Sequence, residues 1–147
     1  MTTASDLMTA MTRLRARLRS ESTPTDMQWS WSQLAALSRI IDDGPLTTSD
    51  LAQAEHMRRQ SMAETVATLR RDGLIESRPD PTDGRKTLLV GTASGRELLA
   101  TSVAARRVWL DIAIRSAIDD DEDEILAKAT AIMLRLADSD VTNKPSR

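Results

Sequence analysis

Five polar residues within one stretch of sequence have side chains that can recognise the edges of nucleic-acid bases. They are Arg58, Arg59, Gln60, Ser61 and Glu64. In the major groove of duplex DNA an arginine can form two parallel hydrogen bonds with guanine, and a glutamine can pair in the same way with adenine. Arg58, Arg59 and Gln60 are therefore the candidate base readers. The alternative interpretation is an ordinary solvated helix face, because exposed charges are common.

A second polar group surrounds a predicted hairpin tip at residues 79–84, where Pro, Asp and Gly are clustered as in turns. Arg85 and Lys86 follow this tip, and an arginine there can enter a narrow minor groove, where the potential is most negative. Asp83 would repel phosphates unless it were paired, so we expect it to orient Arg85. A solvated polar tip is the alternative. Phosphate contacts or plain surface charges are expected at Arg70, Arg71 and Arg78.

Two short helices joined by a tight turn are expected to position the first group. Thr47 and Asp50 form a capping-box pattern that predicts a helix through about Glu55. The second helix is predicted at about 58–72, and Gly73 is expected to end it in the left-handed conformation. Its apolar residues recur at the spacing of one helix face: Met62, Val66 and Leu69. This pair is typical of a helix-turn-helix.

The remaining segments predict a hairpin and four flanking helices. Strands are predicted at Leu74–Arg78 and Lys86–Gly91. A helix is expected at about 6–20, followed by a break at Pro24. The next helix follows a capping box at Ser30 and Gln33 and ends at Gly44. Two more helices are expected, one at about 93–117 that is capped by Thr92 and one at about 122–137. We expect residues 138–147 to be disordered.

The acidic run at residues 119–124 is interpreted as a helix start. It lacks the spacing of a calcium loop, and negative charge is favourable at a helix N-terminus. The apolar face of the last helix is expected to be buried: Ile125, Ala129, Ile132, Met133 and Leu136. With Leu7, Met11, Leu14 and Leu18 it forms more apolar surface than one small domain hides, which predicts a dimer held by the chain ends.

The stretch from 47 to 95 resembles the MarR family of bacterial transcriptional regulators. The resemblance is carried by Asp50-Leu51-Ala52, Leu69-Arg70-Arg71-Asp72-Gly73-Leu74-Ile75, Arg78-Pro79-Asp80-Pro81-Thr82-Asp83-Gly84-Arg85 and Thr92-Ala93-Ser94-Gly95. It implies a mainly α fold with a small β-hairpin wing (α+β), in one domain over residues 1–147. A winged helix-turn-helix at about 30–91 would be flanked by dimerisation helices at about 5–20 and 93–137. Arg58 and Gly84 depart from the family pattern, which bears on sequence preference.

The resemblance implies a cytoplasmic homodimer that binds double-stranded DNA at a pseudo-palindromic operator, most often as a repressor. Each subunit would place one helix in the major groove and its wing near the minor groove. Family members often bind small aromatic molecules, for which Trp29, Trp31 and Trp109 are the candidate pocket residues. Core filling is the alternative role of these rings.

Composition narrows the classes of function. Cysteine, tyrosine and phenylalanine are absent and His56 is the only histidine, which disfavours thiolate metal sites, histidine-rich metal sites and base-stacking modules. No arrangement of nucleophile and base is visible, so we expect no enzyme, no cofactor and no metal. No apolar run is long enough for a membrane span. Two rival functions remain: a winged-helix module that binds an acidic protein, and a small-molecule-binding protein without regulatory DNA binding.

Overall fold

The computed structural model describes residues 1–22 and 28–141, and the chain divides into two compact units, Met1–Val108 and Trp109–Arg147. The described elements are six helices and two strands, which confirms the predicted fold class. They are α1 (Ala4–Ser20), α2 (Trp31–Asp43), α3 (Thr48–Ala54), α4 (Arg59–Arg71), β1 (Ile75–Pro79), β2 (Thr87–Gly91), α5 (Ala93–Ala117) and α6 (Asp120–Ala137). None of these helices is long and apolar enough to cross a membrane.

Side-chain caps fix where most of the helices begin. At α2 the Ser30 hydroxyl accepts the Gln33 N–H at 3.1 Å, and the Gln33 side chain accepts the Ser30 N–H at 2.9 Å. Thr47 and Asp50 form the same reciprocal pair at α3, so both predicted capping boxes are confirmed. Thr92 caps α5 by accepting the Gly95 N–H at 3.1 Å. The acidic run does start a helix, because α6 begins with a capping box of Asp119 and Glu122.

The core of the first unit lies between α2, α3, α4 and the hairpin. All three predicted core residues of α4 are buried, and Met62 and Leu69 are fully enclosed. They belong to one cluster with residues of the neighbouring elements, among them Leu37, Ile40, Leu51 and Leu89. The helix-turn-helix is therefore held through one face of its second helix.

The hairpin strands are antiparallel, with Ile75 opposite Gly91 and Pro79 opposite Thr87. Each begins one residue later than predicted. The Leu74 N–H instead closes the end of α4 on the Leu69 carbonyl at 2.9 Å, after Gly73 has turned the chain at φ 71°. The Lys86 N–H belongs to the tip turn, where it donates to the Asp83 carbonyl at 3.0 Å.

The prediction that α6 buries an apolar face is wrong for the single chain. Ile125 is 64% exposed and Leu136 is 56% exposed, while Ile132 and Met133 are also exposed and Ala129 is half-buried. Periodicity identifies an apolar face but not what covers it. On α1 the same pattern leaves Met11 and Leu14 exposed and Leu7 and Leu18 half-buried.

Two further predictions fall partly or wholly outside the described residues. They are the break at Pro24 and the disorder of the last six residues, 142–147. The described part of the predicted tail, residues 138–141, follows the end of α6.

Gly95 generates a stability prediction, because a Cβ at this position would lie 2.1 Å from the Leu74 carbonyl oxygen. We expect Gly95→Ala to lower the free energy of unfolding by about 1–3 kcal/mol, since the backbone at Leu74 or at the start of α5 must shift to admit the methyl group. Gly84→Ala is the matched control, as nothing lies within 4 Å of its added Cβ, and its effect should stay within about 0.5 kcal/mol. Urea unfolding followed by circular dichroism measures both, and equal stabilities would contradict the close packing.

Candidate nucleic-acid interface

The five candidate reading residues lie together at the start of α4. Arg58 is the N-cap, Arg59, Gln60 and Ser61 form the first turn, and Glu64 follows one turn later. All five are exposed. The opposite face of α4 is buried in the core, which fixes the direction in which these side chains point into solvent.

The N-terminus of α4 differs from those of the other described helices. Arg58 has extended backbone at φ −67° and ψ 143°, but its side chain makes no capping hydrogen bond. The first N–H groups of any helix lack internal partners, and together with the helix dipole they favour an anion. The start of α4 therefore offers unpaired backbone donors beside two arginine side chains, a combination suited to DNA phosphate and base edges.

One contact at this site was not visible in the sequence pattern. The Arg59 guanidinium donates from Nε to the Ser49 hydroxyl oxygen at 2.8 Å, and its Nη2 donates to the same oxygen. Ser49 lies in the first turn of α3, so the bond joins the two helices of the helix-turn-helix. His56, in the turn between them, is exposed with φ 51°.

The wing tip is built around two aspartates. The Asp80 carboxylate accepts the Thr82 N–H and the Thr82 hydroxyl, both at 2.8 Å, and the Asp83 N–H at 3.4 Å. These hydrogen bonds, led by the one from the Thr82 backbone, hold the pKa of Asp80 below its usual value of 3.8. A lowered carboxyl pKa stabilises the folded tip at every pH above the usual pKa of the group. This stabilisation is lost as the pH falls through the lowered pKa. At neutral pH the tip therefore keeps its full set of bonds.

Asp83 and Arg85 are paired as the sequence predicts. The Asp83 carboxylate accepts the Arg85 backbone N–H at 3.1 Å and lies 3.6 Å from the guanidinium Nε. The Arg85 side chain is nevertheless 96% exposed. Lys86 is exposed as well. The tip thus presents two cations, one of which has its backbone held by an adjacent carboxylate and its exposed guanidinium close to the same group.

The three predicted phosphate contacts differ in their surroundings. Arg70 is exposed. Arg71 lies 3.3 Å from Asp72, and Arg78 forms an ion pair with Glu76. Because both pairs are exposed, they are weak and can exchange the carboxylate for a phosphate.

A second candidate site is a cavity of about 460 Å³ within the first unit, beside α1, the start of α2 and α5. Trp29 and Trp31 line it together with Arg15, Arg19 and Arg106. Trp109 belongs to the second unit and is not among the residues that line this cavity. The structure therefore brings together two of the three tryptophans that the resemblance singles out.

Sequence reasoning missed the three arginines of this cavity, of which Arg106 is the buried one. It is only 8% exposed, its Nε donates to the Ser22 hydroxyl at 2.9 Å, and its guanidinium carbon lies 4.8 Å from the centre of the Trp31 ring. Arg15 approaches the same ring at 5.6 Å. Arg106 occupies the buried face of α5, one turn after the buried Ser102, and a polar pair on such a face is the signal that could have revealed it.

Comparison with known proteins adds independent findings to this geometry. The sequence model of the MarR family matches residues 29–87, from the start of α2 to β2. An uncharacterised HTH-type transcriptional regulator of Mycobacterium leprae is 35% identical over 135 residues, which cover 92% of each chain. The chain belongs to the MarR family.

Solved structures agree with this membership of the MarR family. A transcriptional regulator of Pseudomonas aeruginosa is 33% identical, with a TM-score of 0.68 over 94% of both chains. A mutant of Staphylococcus aureus MepR, solved bound to an oligodeoxyribonucleotide, has a TM-score of 0.60 over 91% of this chain and 97% of its own. At 20% identity that likeness concerns the fold. The resemblance stated from the sequence is confirmed, and the chain is a MarR-family transcriptional regulator with a DNA-binding winged helix.

Proposed function

We propose that this MarR-family regulator binds a pseudo-palindromic DNA site as a homodimer and represses transcription from it. The observation that carries the proposal is the arrangement of α4, whose apolar face is buried while the polar side chains of its first turn are exposed. In each subunit α4 would lie in the major groove, with Arg58, Arg59 and Gln60 as base readers and Ser61 and Glu64 beside them. The oligodeoxyribonucleotide bound to MepR supports this use of the fold.

The wing has a different role in this proposal. Arg85, oriented by Asp83, would enter the minor groove or contact the backbone, and Lys86 would contact phosphate. Arg70, Arg71 and Arg78 would add phosphate contacts that hold the protein in register without reading sequence. The major groove distinguishes all four base pairs and the minor groove does not, so α4 would supply specificity and the wing would supply affinity.

Dimerisation is supported by the uncovered apolar surface of the helices near the two chain ends. α1 exposes Met8, Met11 and Leu14, and α6 exposes Ile125, Leu126, Ile132, Met133 and Leu136. Apolar surface of this extent is rare on a soluble monomer and typical of an interface. A symmetric dimer would also match a pseudo-palindromic site.

Charge placed on the apolar face of α6 should break the dimer. We expect Ile132→Asp to give a folded monomer or an aggregate, because a carboxylate would be buried without a partner at the interface. Ala127→Asp adds the same charge on the opposite side of the helix and should remain dimeric. Sedimentation velocity measures the state of both variants, and a well-folded Ile132→Asp dimer would contradict the proposed interface.

Substitutions in the wing and in α4 should change binding in different ways. Arg85→Ala should weaken binding to a preferred and to a scrambled duplex by similar factors. It should also lower the salt slope by about two units for the dimer, since one phosphate-equivalent contact is lost in each subunit. Gln60→Ala should cost about 1–3 kcal/mol per base contact on the preferred duplex and much less on the scrambled one.

The measurement is a set of duplex titrations at several salt concentrations, with the preferred sequence selected from a random pool. Arg13→Ala removes one arginine from the exposed surface of α1 and is the charge control. If Arg85→Ala keeps its fold and binds as the wild type does, the wing assignment is wrong. A protein that binds every duplex weakly and without preference would favour the rival module that docks on an acidic protein.

The cavity supports a second element of the proposal, a small aromatic effector that carries negative charge. Among the described residues none of Arg15, Arg19 and Arg106 forms an ion pair with a carboxylate, and Arg106 is buried. A buried cation without a counter-ion is costly. An aromatic acid would supply both a carboxylate for these arginines and a ring to pack against Trp29 and Trp31. Such a ligand releases DNA only if it binds the DNA-incompetent state more tightly, by typically about 1–3 kcal/mol.

Ligand binding can be tested by tryptophan fluorescence in a Trp109→Phe background, which leaves the two rings of the cavity as reporters. Hydroxybenzoic acids should quench this fluorescence and weaken DNA binding, whereas the corresponding uncharged hydroxybenzyl alcohols should do neither. Arg106→Met should abolish the response to the acids, and Arg96→Ala, on the exposed side of α5, should retain it. Equal responses to acids and alcohols, or none to a broad panel, would remove the effector from the proposal.

A further inference from the structure

The hydrogen bond between α3 and α4 sets the direction of one candidate base reader. Nε and Nη2 of Arg59 both donate to the Ser49 hydroxyl oxygen, the first at 2.8 Å. Ser49 is half-buried at the start of α3, whereas Arg59 is exposed at the start of α4. Within the described residues Arg59 forms no ion pair with a carboxylate. Ser49 is therefore the group that orients this guanidinium.

The edge of the guanidinium that Ser49 occupies decides which edge remains free. Arginine has five N–H donors in a planar fork, and Ser49 takes the side edge formed by Nε and Nη2. The end edge, formed by Nη1 and the second hydrogen of Nη2, stays available. Two parallel donors are what the O6 and N7 atoms of guanine require. A hydroxyl acceptor also leaves the full positive charge on Arg59, which a carboxylate in its place would offset.

We propose that Ser49 is a positioning residue for sequence recognition, which holds the side edge of Arg59 so that the end edge faces a guanine. The inference rests on the proposed function, in which Arg59 contacts a base. A free arginine loses much side-chain entropy when it is ordered on DNA. Because Ser49 restricts Arg59 before binding, less of that entropy remains to be lost in the complex.

A double-mutant cycle between positions 49 and 59 tests this role on the full-length dimer. Ser49→Ala should lower the affinity for the preferred duplex by about threefold to tenfold per half-site, the range expected for ordering one long side chain. Ser49→Thr keeps the hydroxyl acceptor and should bind within about twofold of the wild type. In the Arg59→Ala background, Ser49→Ala should have no further effect, since the side chain that it positions is gone.

The guanine partner is identified with duplexes that carry 7-deazaguanine, which lacks the N7 acceptor, at one guanine of each half-site in turn. When 7-deazaguanine replaces the contacted guanine, Ser49→Ala should cause little further loss of affinity. When it replaces any other guanine, the loss caused by Ser49→Ala should persist. Thermal melting of every variant separates this effect from unfolding. The affinity for scrambled DNA should not change, because the proposed contact reads a base.

Two results would overturn the inference while leaving the proposed function intact. One is wild-type affinity in Ser49→Ala, and the other is an equal loss with and without Arg59, which would mean that Ser49 contacts DNA by itself. In both cases Gln60→Ala would still reduce sequence preference. A wild-type protein that shows no sequence preference at all would overturn the proposed function and this inference together.

Discussion

Each candidate DNA contact depends on the burial of one face of α4 in the core of the first unit. Met62 and Leu69 are fully enclosed by residues of α2, α3 and the hairpin. Truncating such side chains to alanine commonly costs about 2–5 kcal/mol, so the face is strongly specified. Successive helical residues are 100° apart, and fixing the buried face therefore fixes the direction of Gln60 and Glu64 as well. The same core holds β2, and with it the wing, in place beside the helix.

The distribution of charge matters more to this protein than its net value of −2. Residues 58–86 contain seven basic and five acidic side chains, and three of the acids are paired with neighbouring arginines. The six carboxylates at 119–124 start α6, where negative charge is favourable. Since DNA binding depends on local phosphate neutralisation, the acidic balance of the whole chain does not argue against it.

The sequence predicted what local chemistry controls and missed what distant residues create together. Helix starts at Ser30 and Thr47 follow from reciprocal hydrogen bonds between residues three apart, and the Asp83–Arg85 pair spans two residues. The bond from Arg106 to Ser22 joins residues 84 apart, and no local pattern encodes it. The exposed face of α6 shows a different limit, because periodicity reports that a face is apolar and not whether its own chain covers it.

Helix α2 connects the arginine-lined cavity with the core that supports α4. Trp31 and Gln33, in its first turn, line the cavity, while Leu37 and Ile40 lie in the core that encloses α4. A change at the first turn of α2 therefore acts on a packed interior, and close-packed interiors transmit displacement because they contain little empty volume. Proximity alone does not regulate binding. A ligand in the cavity changes DNA affinity only to the extent that it binds unequally to two conformations of the protein that differ in the position of α4. The stacking of Arg106 on Trp31 is the contact that such a ligand would have to change.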